Sequence, residues 1–116
     1  MKISKIQELL NAEILCGEDL MDREVESACG SDMMSDVLAY VKDQAVLLTG
    51  LINPQVIRTA VMMDMICIVF VRSKTPSEEM LRLAEESGIV IMSTDKRLYE
   101  ACGLLYANGL VGNTNE

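Results

Sequence analysis

The chain has 116 residues, half of them apolar and 24% charged, with a net charge of −8, one Phe, three Tyr, and neither Trp nor His. That length corresponds to one domain with a single ordinary core, and the apolar half offsets the entropy of ordering the chain. The acidity excludes nucleic-acid partners, whose affinity comes from Lys and Arg displacing counterions, and the scarcity of rings removes the stacking platforms of single-strand binding.

Ile3, Ile6, Leu9 and Leu10 recur at helical spacing, so Ser4 to Leu10 reads as a short first helix. Glu13 to Cys16 reads as a short strand ending at Gly17, and Glu18 to Arg23 as polar connection. Val25 to Cys29 is a second strand, broken by Gly30-Ser31-Asp32, where Ser31 or Asp32 caps a helix with the apolar face Met34, Val37, Leu38 and Val41. The strand Ala45–Leu48, the helix Pro54–Met63 and the strand Ile66–Val71 follow as one βαβ unit. Val56, Ile57, Ala60, Val61 and Met63 form the sheet-facing side of that helix. Both strands are almost continuously apolar, as in parallel strands covered by helices on two faces.

Thr75-Pro76-Ser77-Glu78 reads as a capping box opening the helix Pro76–Ser87, which Gly88 ends. Ile89 to Met92 is a further strand, and Ser93-Thr94-Asp95 caps a last helix carrying Leu98, Ala101, Cys102 and Leu105. With right-handed crossovers this order gives a three-layer α/β/α sandwich around a mainly parallel sheet of four to five strands. The domain runs over 1–110, with 111–116 as a flexible tail.

The chemistry is harder to read. Without His there is no Ser-His-Asp or Cys-His arrangement, and the four dispersed cysteines, Cys16, Cys29, Cys67 and Cys102, offer no local metal motif. They read as reduced and structural, with Cys29 before a helix N-terminus as the one candidate nucleophile. Neither a P-loop nor a dinucleotide fingerprint is present. No cofactor, metal or catalytic residue is therefore expected. Lys2 and Lys5 lead into an amphipathic pattern instead of a secretory leader, and Met65 to Val71 is far short of the roughly 20 residues that span a bilayer. The expectation is a soluble cytoplasmic protein with no membrane contact.

In open parallel sheets, ligands bind beyond the carboxyl ends of the strands. The residues expected there are Ser31, Asp32, Thr49, Gly50, Asn53, Arg72, Lys74, Ser93 and Thr94, with Lys96 and Arg97 adding positive charge. Two readings stand side by side. These residue types are ordinary helix caps and turn formers, and they are also what a small-anion or nucleotide site at helix N-termini requires. Met33, Tyr40 and Met62 widen the apolar stripes of their helices, which points to a homodimer face or simply to a broad core face.

The run Cys29-Gly30-Ser31-Asp32-Met33-Met34-Ser35-Asp36-Val37-Leu38, followed by Leu47-Leu48-Thr49-Gly50 and by Gly88-Ile89-Val90-Ile91-Met92-Ser93-Thr94, resembles the DRTGG domain. The resemblance covers Ile3 to Leu110. Such domains occur within phosphotransacetylases and CBS-containing pyrophosphatases, are similar to the N-terminal domain of HPr kinase, and some stand alone. The family's Gly-Asp-Arg and Thr-Gly-Gly segments fall here on Thr49 to Asn53 and on Arg72-Ser73-Lys74. The resemblance implies a non-catalytic, dimeric regulatory or assembly module, and the leading reading is that it acts by dimerising and binding a partner protein. A sensor of a small anionic effector or nucleotide is the alternative, and an enzyme or redox switch built on Cys29 a third reading.

Overall fold

Side chains along the central strands alternate between two cores. The computed structural model describes residues 1–40 and 44–111. The expected apolar position Val41, the side chain of Tyr40 and the tail beyond residue 111 lie outside the described residues. Five strands form one sheet in the order β1-β5-β4-β3-β2, with β1 spanning Glu13–Cys16, β2 Ser27–Gly30, β3 Ala45–Thr49, β4 Cys67–Phe70 and β5 Val90–Ser93. β2 through β5 are parallel, Val46 pairing with Cys67 and Cys67 in turn with Val90. β1 is the antiparallel edge, with Glu13 opposite Ser93 and a register shift between Ile14 and Cys16.

Each step from β2 to β5 adds a strand on the same side, and a right-handed crossover then sends every connecting helix to one face. Those helices are α2 (Met34–Tyr40), α3 (Pro54–Met62) and α4 (Glu78–Ser87). They bury Val37, Val56, Ile57, Met80 and Ala84 against Leu47, Ile68, Phe70 and Ile91. The other face receives only α1 (Ile3–Leu10) and α5 (Leu98–Ala107). Here Ile3, Ile6, Leu10, Ala101 and Leu105 meet Val46, Leu48, Val69, Val90 and Met92. The strand residues of the two sets interleave, as a period of two requires.

Among the described residues the strands and α-helices follow the order of the sequence reading, with a short 3-10 helix, Glu18–Leu20, inside the expected polar connection, while several ends differ. The second strand begins at Ser27, not Val25, although Val25 is buried. The helix expected from Pro76 starts at Glu78, because the hydroxyl of Ser77, not Thr75, accepts from the Met80 amide at 3.2 Å. Its third helical residue is therefore Met80, so no reciprocal capping box forms. Val61, expected to face the sheet, is 44% exposed, since the buried stripe of α3 runs through Val56, Ile57 and Ala60. Gly17 sits at φ +88° with Val90 packed beneath it, where a β carbon would come within 2.9 Å of the Val90 backbone. No described helix is long and apolar enough to cross a membrane.

Candidate functional site at the carboxyl edge of the sheet

Asp32 is the hub of this edge. Its Oδ1 accepts from Thr49 Oγ1 at 3.0 Å and from the Gly50 amide at 2.7 Å. Thr49 Oγ1 in turn accepts from the Leu51 amide at 3.2 Å, so one carboxylate and one hydroxyl tie the loop after β3 to the loop after β2. Ser31 or Asp32 was expected to cap α2, and Asp32 does not. It is drawn away because the Ser31 amide continues the ladder to Leu48 O at 3.0 Å and the Ser31 hydroxyl accepts from the Met33 amide at 2.9 Å. Asn53 does cap α3, accepting from the Gln55 amide at 2.8 Å ahead of Pro54 at the first helical position.

Arg72 closes the group from the neighbouring strand. Its guanidinium lies over Gly50, where any β carbon would collide with it. Arg72 and Ser73 both adopt φ +58°, a left-handed conformation that non-glycine residues seldom hold. Backbone bonds pin it: the Arg72 amide donates to Lys96 O and the Ser73 amide to Thr94 O, each at 2.8 Å. The Ser93 hydroxyl donates to Lys74 O at 2.9 Å.

These bonds bear directly on where a ligand fits. The chain leaving β4 turns to the face of α4 and the chain leaving the adjacent β5 turns to the face of α5. Such a divergence opens the crevice in which sheet-edge ligands usually sit. Here the Arg72–Lys96 and Ser73–Thr94 backbone bonds bridge that gap. A cavity of about 270 Å³ remains beside it, between β5 and β1, lined by Asn11, Glu13, Ser73, Thr75, Ser93 and Asp95. Its two carboxylates oppose the positive character expected of this edge. Lys96 is drawn toward Glu100 at 3.9 Å, and Lys74 and Arg97 point into solvent.

The structure thus brings Asp32, Thr49, Gly50 and Arg72 into one cluster, with Ser31 and Asn53 at its margins. Ser93 and Lys74 meet each other a strand away. Thr94 is 2% exposed and donates its hydroxyl to Leu10 O at 2.8 Å, anchoring α1. It was expected to help cap the last helix, yet the N-cap residue of α5 is Arg97, without a side-chain bond. A second cavity, about 380 Å³, opens at the amino edge and is lined by Arg23, Gln44, Asp64, Ser87 and Gly88 among others. Arg23 Nη1 donates to Gly88 O there at 3.0 Å. Arg23 read only as polar connection, because nothing local in the sequence connects residue 23 to residue 88.

Cys29 does not acquire the depressed pKa of a nucleophile. Burial pushes its thiol up, with smaller contributions from Cys102 and Asp36. Cys102 is likewise raised by burial. Among the described residues no three Cys, Asp or Glu side chains converge as a metal would need.

A mainly parallel sheet between two helical layers, with a polar cluster at its carboxyl edge, defines a small α/β domain. Residues 5–107 match the DRTGG domain, and the chain belongs to that family. No curated protein matches its sequence. Among solved structures it is similar to the crystal structure of the CBS and DRTGG domains of the regulatory region of Clostridium perfringens pyrophosphatase, complexed with the activator diadenosine tetraphosphate. The TM-score is 0.74 at 16% identity, over 98% of this chain and 51% of that one. At that identity the likeness is one of fold, and the chain spans about half the length of that structure.

Proposed function

We propose that this chain is a non-catalytic regulatory module that acts by homodimerising and holding a partner protein. The observation that carries this reading is the apolar surface left on α3, on α2 and at the residue just before α2. Met33 is 61% exposed, Leu38 46%, Val61 44% and Met62 66%. Flexible, polarisable Met side chains at the surface suit adaptable protein contacts. At the carboxyl edge, by contrast, the Asp32 carboxylate and the Thr49 hydroxyl are taken up by each other and by loop amides, which fits a structural loop cluster better than a reaction centre. Membership of the DRTGG family and the regulatory region to which the similar structure belongs support the same reading. Light scattering on the purified chain is the direct test. A dimer is expected, and a monomer at high micromolar concentration would refute the homodimer.

A second reading, a sensor of a small anion or nucleotide, is favoured by one observation. The Arg72 guanidinium lies over Gly50 beside the N-terminus of α3, and the similar pyrophosphatase structure holds diadenosine tetraphosphate. A ligand present at 100-fold over its Kd should stabilise the chain by about 2.7 kcal/mol. If millimolar nucleotides, diadenosine tetraphosphate included, leave the melting temperature unmoved, the sensor reading fails.

A further inference from the structure

The end of α5 joins two residues that share a chemical hazard. Of the five asparagines in the chain, only Asn108 is followed by glycine. An asparagine in that setting can lose its side-chain amide, because the nitrogen of the next residue attacks Cγ and glycine has no side chain to obstruct the approach.

The fold calls for both residues. Gly109 stands at φ +105°, which side chains rarely adopt, although a β carbon there would meet nothing within 4 Å. Its amide donates to Tyr106 O at 3.2 Å, and the Leu110 amide donates to Leu105 O at 3.0 Å. That turn delivers Leu110, 4% exposed, into the core. Asn108 is the C-cap of α5, its amide donating to Leu104 O and Leu105 O and its Nδ2 to Leu104 O at 2.7 Å.

The same cap holds the reaction off. Asn108 sits at φ −100° and ψ 14°. At that ψ the Gly109 nitrogen eclipses Asn108's own nitrogen and lies well round the Cα–C bond from the side chain, so a five-membered ring cannot close. The Gly109 amide proton, which must leave before the nitrogen attacks, is held on Tyr106 O, and the departing Nδ2 is held on Leu104 O. The turn must open first, and helix ends open far more often than the core unfolds.

We propose that Asn108 is a site of spontaneous deamidation gated by the C-terminal cap of α5, and that the reaction leaves that cap open for good. In the opened turn hydroxide takes the Gly109 amide proton and the nitrogen bonds to Cγ. The Cγ–Nδ2 bond then breaks, and ammonia leaves with a proton from water. A water molecule opens the resulting succinimide at either carbonyl, giving aspartate or isoaspartate.

Neither product caps as Asn108 does. A carboxylate has no N–H for Leu104 O, and its charge stands among the closing carbonyls, where the helix dipole is already negative. Isoaspartate also adds a backbone carbon ahead of Gly109, which carries the Leu110 amide away from Leu105 O. Leu110 borders an apolar cavity of about 150 Å³ between α5 and the edge strand β2, lined by Ala28, Leu48 and Tyr106 among others. Its release uncovers that surface, and because ammonia is lost the change runs one way.

The test follows the one-unit mass gain at each asparagine of the full chain by peptide mapping, in mildly alkaline buffer with and without urea. Asn108 is expected to react first in urea, and about tenfold or more slower in the folded chain. Equal rates in the two conditions would overturn the gating, and earlier reaction at another asparagine in urea would overturn the site. Hydrogen exchange on Asn108→Asp, a change at an exposed position, tests the consequence. Leu110 and the last turn of α5 should lose protection about tenfold or more, with α3 unchanged. Unchanged protection at Leu110, or an equal loss in α3, would overturn the opened cap.

Discussion

The two faces of the sheet are covered by different rules. Three crossover helices cover one face because each β-to-β step proceeds in the same direction, so handedness alone assigns α2, α3 and α4 to it. The opposite face depends on segments from outside that run, α1 before it and α5 after it. Two helices against five strands leave β2 only partly covered, and the apolar cavity beside Tyr106 lies there. A face covered by crossovers is covered along its whole width, whereas one covered by flanking segments is held by separate anchors and leaves an apolar cavity at the edge strand.

The largest test of this contrast compares Phe70→Ala with Met92→Ala, equally buried residues on opposite faces. Phe70→Ala is expected to cost about 3–5 kcal/mol and Met92→Ala about 2–5, in urea unfolding. If the faces differ as argued, Met92→Ala also lowers amide protection in α1 and α5 selectively, whereas Phe70→Ala lowers it throughout. Uniform loss in both variants would break the comparison.

Next in size is the anchor of α1. Thr94→Val leaves Leu10 O without its donor and is expected to cost about 1–3 kcal/mol. The same hydrogen-exchange experiment should then show α1 opening ahead of α3. If α1 and α3 keep equal protection, Thr94 is not what holds that layer.

Alkaline pH probes the two-helix face through Cys67, which is fully buried there. Burial pushes its thiol up from the ordinary value of 9.0. Below pH 9 both folded and unfolded thiols are protonated, so this contribution is constant. Above it the unfolded thiol ionises while the folded one stays neutral, and stability falls by about 1.4 kcal/mol per pH unit until the folded thiol titrates. Cys67→Ala should shallow the decline in urea midpoint between pH 9 and 11. Parallel declines in the variant and the wild type would count against that burial.

The smallest effect is on the crossover face. Ser77→Ala removes the hydroxyl that accepts from the Met80 amide and should cost about 1 kcal/mol, measured by thermal unfolding. Thr75→Ala, whose hydroxyl does not cap α4, is expected to fall within about 0.5 kcal/mol of wild type.

Most of this architecture was legible because the local signals were strong and mutually consistent. The uninterrupted apolar runs Ala45–Leu48 and Ile66–Val71 announced parallel strands, and Asn53-Pro54 and Gly88 marked helix ends that the structure retains. Pairings between distant residues escaped. Asp32 looked like a cap because it precedes a helix, and only the proximity of Thr49 and Gly50 draws its carboxylate elsewhere. Thr94 looked like a cap for the same reason, while its hydroxyl answers a carbonyl 84 residues earlier. At the carboxyl edge the structure gathers Thr49, Gly50 and Arg72, whose places follow from the strand ends, while the acidity beside them had no local signal. Glu13 and Asp95 enter the neighbouring cavity from an edge strand and a loop whose meeting no short motif records.

The antiparallel edge has a consequence for how the chain reaches this state. From β2 to β5 each new strand lies beside its immediate predecessor, so the parallel ladder can lengthen step by step with short closures. β1 is different: Glu13 must wait for Ser93 to emerge before it has a partner, a closure over some 80 residues that carries a larger entropic cost. Docking of α1 and β1 is therefore expected late, as a separate slow event. Until it occurs, Val90, Ile91 and Met92 present an open apolar rim, the kind that recruits a strand from another molecule. Refolding at high concentration should then yield exchanged dimers in which β1 of one chain completes the sheet of the other.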